Sequence, residues 1–338
     1  MLATKQPVLK RFWYPVIPIE HLASGPQAFE LLGEKIVLWL TADGQPAAVA
    51  DRCCHRTAQL SKGQVIQGNI RCPYHGWSFN ASGNCMQVPQ LEQGKPIPSN
   101  YKVPSYHCAK RYGYAWVSLD DPLAQIPEIP EASDPQFRYI QQFYERWECS
   151  GLRLMENEFD NAHFSFVHQG TFGNIQQPEP AEVDLMELEY SIHMKTAYSV
   201  INPSLQQKNL KINQSTTLRT NELIWFVPFS RMLYIRYPNG LVHGIFTAAT
   251  PINDSASQIV QFCFRNDTEA DTPASDVIAF DRAVTLEDKA VLETTDYDIP
   301  LVLSKEQHMS SDKPGLMMRY KLAALLKEHG EIEHCKGI

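Results

Sequence analysis

Four side chains in the first third of the chain carry metal-binding donors at matched spacing. Cys53 and His55 form C-x-H, Cys72 and His75 form C-x2-H, and 16 residues separate His55 from Cys72. Two thiolates on one iron and two neutral imidazoles on its neighbour make a 2Fe-2S site of raised reduction potential. The imidazoles also make electron gain sensitive to protonation. Zinc loops usually pair Cys with Cys and His with His, so one Cys and one His in each loop argue against zinc. Gly63, Gly68 and Gly76 suit backbone turning close to a cluster, and Tyr74 and Trp77 suit its shielding from water. Cys54, the x of C-x-H, is read as a non-ligand.

A second set lies in MENEFDNAHFSFVHQGTFG, where Asn157, Asp160 and His163 recur at i, i+3 and i+6, expected on one side of a helix. His168 follows after a break. Ferrous iron that binds O2 needs few protein ligands and open positions on one side, which two His and one carboxylate provide. The His pair is present, although two histidines five apart also suit surface or core positions. For a carboxylate, Asp281, Glu287, Asp288, Glu293, Asp296 and Asp298 compete in AFDRAVTLEDKAVLETTDYDIP. A solvated acidic helix face is the plainer role for most of them.

The segments CCHRTAQLSKG and CPYHGWSFNASGNC resemble the cluster loops of Rieske oxygenases and Rieske-type ferredoxins, with Cys54 where the first loop usually has Pro. The second set resembles the mononuclear iron motif of Rieske oxygenases, so the resemblance covers nearly the full chain. It implies His163 and His168 as iron ligands and Asn157 as a polar residue beside the iron. It implies Asp160 as the carboxylate that accepts a hydrogen bond from an iron-ligating His and links to the cluster histidine of a neighbouring subunit. EDKAVLE looks like the family's ligand helix, which implies Asp288 as the third ligand. The implied cofactors are a Rieske 2Fe-2S cluster and a mononuclear Fe(II). The implied assembly is a head-to-tail homotrimer in which one chain's cluster serves the next chain's iron.

In total length the chain resembles the vanillate- and dicamba-demethylase branch and the saxitoxin-pathway hydroxylases more than the larger ring-dihydroxylating subunits. That resemblance implies a monooxygenase that uses O2 to hydroxylate or oxidatively demethylate a small organic substrate. A cis-dihydroxylating dioxygenase and a non-catalytic Rieske electron-transfer protein are the alternatives. No G-x-G-x-x-G opens a helix after a strand, so electrons are expected from a separate flavin- or ferredoxin-type reductase. Arg52, Arg56, Lys62 and Arg71 against Asp51 leave the cluster loops locally basic, suited either to a solvated rim or to docking an acidic partner.

The expected fold class is α+β, an N-terminal all-β Rieske domain followed by a catalytic domain with an antiparallel β-sheet flanked by helices. Short β-type runs between Lys35 and Leu119 (KIVLWL, PAAVA, YAWVSL) suggest the first domain, taken as residues 1–120. Pro122, Pro127, Pro130 and Pro135 mark residues 121–135 as an extended linker. Residues 136–338 form the catalytic domain, with sheet runs from Thr196 to Asn266 and a closing helix from Pro314 to Gly330. Trp225, Phe226, Tyr234, His243 and Phe246 suit a pocket lining or, more plainly, the core. Cys108, Cys149, Cys263 and Cys335 read as small buried hydrophobes. A net charge of −8 over 338 residues excludes phosphate-neutralising binding of nucleic acid. No apolar run is long enough to span a bilayer and the first 30 residues lack a signal-peptide core, so a cytoplasmic location away from any membrane is expected.

Overall fold

The computed structural model describes residues 1–336. The fold is α+β, and the chain divides into two compact units, Pro7–Ile126 and a second made of Met1–Gln6 with Pro127–Ile338. The first six residues thus join the second unit, where Leu2 N–H donates to His334 O and Thr4 bonds Asp254. Residues 121–135 carry a single 3-10 turn, Pro130–Ala132, and no strand. Four prolines there remove backbone donors and fix φ.

In the first unit, strands β1 (Tyr14–Pro18), β2 (Gln27–Leu31), β3 (Glu34–Leu40) and β4 (Pro46–Ala50) come first. The short β5 (Gln64–Ile66), β6 (Asn69–Arg71), β7 (Ser78–Phe79) and β8 (Cys85–Gln87) follow as a four-stranded sheet. Finally β9 (Ser105–Arg111) and β10 (Tyr114–Ser118) complete a six-stranded sheet of order β1-β10-β9-β4-β3-β2. The β3 residues Val37 and Trp39 lie in one buried cluster with Leu60, Ile70, Phe79, Cys53 and Cys72. The two cysteines are therefore held by the same apolar packing that stabilises the sheets.

The second unit starts with β11 (Arg138–Trp147), α1 (Gly151–Glu158) and α2 (Phe164–Val167). Then come β12 (Val183–Leu188), β13 (Ser191–Ile201), α3 (Ser204–Leu210), β14 (Thr216–Phe226), β15 (Ser230–Arg236), β16 (Val242–Pro251) and β17 (Ser257–Arg265). Helices α4 (Ala274–Leu292) and α5 (Lys313–Glu328) close the unit. The seven strands form an antiparallel sheet of order β11-β17-β16-β15-β14-β13-β12. The sheet is wider than its apolar runs announce. β11 reads RYIQQFYERW, half-buried and polar at most positions, and so carries no continuous apolar signal.

Helix α4 lies on this sheet through Val277, which packs with Ile140 of β11, Ile245 of β16 and Cys263 of β17. Asp281 and Asp288, two turns apart, are buried beside it on the sheet-facing side. Helix α5 starts at Pro314 and ends in a Schellman turn, with Gly330 at φ 70°, Gly330 N–H on Lys327 O and Glu331 N–H on Leu326 O.

Candidate functional site

The two Cys/His loops of the first unit are built alike. In the first, Cys53 N–H donates to Ala58 O and Thr57 N–H to Cys53 O; in the second, Cys72 N–H donates to Trp77 O and Gly76 N–H to Cys72 O. The residue four past each cysteine takes a left-handed φ, 58° at Thr57 and 74° at Gly76. The repeat presents Cys and His equivalently from both loops, and the His55 and His75 rings approach to 4.5 Å between centroids. Trp77 stacks on His55 at 4.5 Å and Tyr101 on Trp77 at 4.8 Å, closing one side of the site. Tyr74 touches His75 at 3.9 Å but is 64% exposed, so its expected shielding role is not met. Cys54 is exposed.

The donor chemistry fits a 2Fe-2S cluster. Burial, with the Cys72 thiol alongside, pushes the Cys53 thiol up to about 12, and His55 Nδ1 is a buried ring nitrogen with no hydrogen-bond partner. An orphaned imidazole nitrogen beside two paired thiols is a donor set short of a cation.

In the second unit, helix α1 ends at Glu158, so Asp160 and His163 do not extend its face as their spacing suggested. The Asp160 carboxylate accepts the Ala162 N–H at 2.6 Å, drawing the backbone into a local turn that competes with the helix. His163 caps α2, and His168 follows its last residue. The turn brings the two rings together, with Nε2 to Nε2 at 3.2 Å. Asp288 of α4 completes the group, its Oδ1 lying 3.5 Å from His163 Nε2 and 3.3 Å from His168 Nε2.

The outer edges of these rings determine what the inner edges offer. His163 Nδ1 lies 3.2 Å from Asp160 Oδ2, and His168 Nδ1 lies 3.0 Å from Glu287 Oε2. Each Nδ1–H donates to a carboxylate, leaving both Nε2 lone pairs pointing inward beside a carboxylate oxygen. Three converging acceptors repel one another unless a cation lies among them. An ion about 2.1 Å from each of three donors at right angles spaces them about 3 Å apart, close to what is found, so the residues fit a mononuclear iron with open positions. Burial favours the neutral His163 ring, but hydrogen bonds to Asp160 and Asp288 outweigh it and hold the group up at about 9, so that without metal a proton takes the cation's place on Nε2 and metal binding displaces it. His168 is pushed down by burial, and Asp288 is held low because its His neighbours outweigh its own burial.

Asn157 donates from Nδ2 to Asp288 Oδ1 at 3.0 Å, fixing that carboxylate. Among the other acids considered, Asp281 faces His243 at 3.2 Å, Glu293 accepts the Glu148 N–H, and Asp298 accepts the Lys336 N–H. Glu287 stands behind His168 and also accepts from Thr171 Oγ1 at 2.7 Å. His243, Cys263 and Asp281 form a second buried trio of donor atoms. Burial keeps the Cys263 thiol protonated, and Asp281 is already bonded by Gln142.

The three converging residues stand at one wall of a cavity of about 100 Å³ between α4 and the sheet. Alternate residues of the strands supply the opposite wall: Arg219, Asn221 and Leu223 from β14, Arg231, Leu233 and Ile235 from β15, His243 and Ile245 from β16. Arg231 is paired to Glu158 at 2.5 Å, and burial raises the Glu158 carboxyl against that pairing. Of the five aromatic positions considered from sequence, only His243 reaches the cavity. Trp225 and Phe246 are fully buried in the core, and the Tyr234 hydroxyl bonds Glu131. Phe172, Tyr198 and Tyr237, which line the cavity, carry no local signal that separates them from core aromatics. Cys149 and Cys263 are buried as expected, whereas Cys108 and Cys335 are partly exposed.

Residues 12–107 match the Rieske [2Fe-2S] domain family, and residues 147–328 match the Vanillate O-demethylase oxygenase C-terminal domain family. The chain is similar to the methylxanthine N1-demethylase NdmA of Pseudomonas putida, 29% identical over 96% of this chain and 91% of that protein. It is 28% identical to the methylxanthine N3-demethylase NdmB of the same organism, over 92% of this chain and 88% of that protein. The solved structure of P. putida CBB5 NdmA with caffeine superposes with a TM-score of 0.83 at 27% identity, covering 98% of both chains.

Proposed function

The chain belongs to the Rieske oxygenases that carry the vanillate O-demethylase type of catalytic domain, and we propose that it removes a methyl group from a small organic substrate held in the cavity beside His163, His168 and Asp288. The full-length likeness to two demethylases supports demethylation over the other oxygenations. The single observation that carries the reading is the convergence of three inward lone pairs on that cavity.

When bound, the two centres supply reductive activation of O2, the cluster at Cys53, His55, Cys72 and His75 passing electrons singly and the iron at His163, His168 and Asp288 offering open positions. The chain's own groups set the stage for that chemistry. Asp160 and Glu287 hold the two Nδ1–H bonds that aim the imidazoles, and Asn157 orients Asp288. Phe164 and Phe172 pack against the rings and keep water from that side. The net reaction takes R–CH3, O2, two electrons and two protons to R–H, formaldehyde and water.

The same reading places a homotrimer in the cytoplasm, with Asp160 at the crossing between one chain's iron and the next chain's cluster. Its carboxylate bonds His163 while its side chain stays one-third exposed, which suits a bridge. Among the described residues, no helix is long and apolar enough to cross a membrane. Arg52, Arg56 and Lys62 are exposed around the cluster loops while Asp51 is buried on Ser61, leaving a basic rim for an acidic reductase. The test is iron per chain on anaerobically purified protein, read with the EPR spectrum of the reduced cluster. About three irons per chain with a Rieske-type signal are expected, falling to about two in His163→Ala. Two irons in the wild type even after ferrous reconstitution would overturn the reading.

A further inference from the structure

The far side of the cavity holds a buried positive charge. Arg219 is 96% buried, yet among the described residues no carboxylate lies within ion-pair distance of it. Its Nη2 donates to Asn202 Oδ1 at 3.1 Å, and its Nε has no partner. The acids that line the cavity are otherwise engaged, Glu158 with Arg231, Asp281 with Gln142 and His243, and Asp288 with His163 and His168. A guanidinium desolvated without a counter-ion is costly, and is retained where something supplies the charge.

Two phenols converge on the same place. Tyr198 is the cross-strand partner of Arg219, and Tyr237 lies 5.2 Å under the guanidinium. The Tyr198 oxygen accepts from Asn221 Nδ2 at 2.6 Å and the Tyr237 oxygen accepts from Gln206 Nε2 at 3.4 Å. Both phenols line the cavity, and among the described residues no second hydrogen bond engages either hydroxyl, so each can turn its hydrogen to a ligand. Burial holds both phenols above their ordinary range, so they stay protonated at neutral pH. One ring separates this corner from the iron site, since Phe172 stacks on His168 at 4.6 Å and lies 5.9 Å from the Arg219 guanidinium.

We propose that the cavity binds a small aromatic carboxylate, its anionic group received by Arg219, Tyr198 and Tyr237 and its other end turned to the His163–His168–Asp288 centre. The inference rests on this cavity being the substrate pocket. Arg219 and the three converging residues line the same cavity, and the bidentate fit of guanidinium to carboxylate sets the direction of the bound molecule.

The test is anaerobic calorimetric titration of the iron-loaded full chain with benzoate and with its uncharged counterpart benzamide. Wild type is expected to bind benzoate at least about tenfold more tightly, the scale of a charge-assisted hydrogen bond. Arg219→Met removes the preference, Arg219→Lys keeps part of it, and Tyr198→Phe weakens benzoate alone. The last two variants carry the test should Arg219→Met fail to fold. Equal binding of the two probes, no benzoate binding, or a preference that survives in Arg219→Met overturns the proposal. Turnover is not part of the readout, so failure of the demethylation reading is seen separately.

Discussion

His168 shows how one side chain behind a proposed iron ligand decides what that ligand offers. Its Nδ1–H is held by Glu287, and Thr171 holds the same carboxylate oxygen from the other side. Without an acceptor at Nδ1, the imidazole is free to carry its proton on Nε2, the nitrogen aimed at the metal. Glu287→Gln keeps the volume and loses the charge. Its ferrous affinity, titrated against a competing chelator, is expected to fall by about 10–100-fold, while the visible spectrum of the cluster stays unchanged. An unaltered affinity would show that Glu287 merely fills space. The ligand types were legible in the sequence, and the resemblance singled out Asp288; that Glu287 stands behind His168 was not. Neighbouring helix positions differ by about 100° around the axis, so the roll of α4, set by Val277 against three strands, decides which acid meets the metal and which stands behind it. Arg219 was equally hidden, because only its place on β14 beside β13 and its burial reveal an arginine that meets no carboxylate among the described residues.

At the scale of elements, two short turns hold the first site. Gly76 sits at φ 74°, and a Cβ there would approach Pro89 Cγ to 3.1 Å. Gly76→Ala therefore combines left-handed strain with a forced shift of Pro89, at a cost of about 1–2 kcal/mol in the loop. The temperature at which the cluster's visible absorbance bleaches is expected to drop, while the iron content of the other centre holds. No change would mean that the loop is fixed by its strands rather than by the turn. Thr57 adopts the same φ in the equivalent turn with a β-branched side chain, so it bears strain that Gly76 avoids. Local grammar made the two Cys/His loops and the closing helix α5 readable, because turn residues, Pro314 and Gly330 act within a few positions. It misplaced Asp160 and His163, since the Asp160 side chain captures a backbone N–H and ends the helix that the i, i+3, i+6 spacing implied. It also missed β11, whose membership of the sheet is set by pairing with β17, more than a hundred residues away.

Whole-molecule behaviour turns on whether a chain's iron is served by its own cluster or by a neighbour's. Asp160 touches the iron site through His163 yet keeps an exposed face, so it can carry an electron path out of the chain as well as within it. Co-expressing two damaged chains separates these routes. His163→Ala lacks a working mononuclear site but has an intact cluster, and Cys53→Ser has the reverse defect. In a head-to-tail ring each of three junctions joins an intact cluster to an intact iron in about one arrangement out of four, so randomly mixed trimers are expected to regain about a quarter of wild-type turnover. Delivery within a chain predicts none, because no chain then carries both centres. Activity near zero in mixtures that purify as trimers with both metals present would refute the neighbour route. Recovery would locate the working unit of this enzyme at the junction between chains, and Asp160→Asn built into the Cys53→Ser chain would then abolish the recovery by breaking the junction on its iron side.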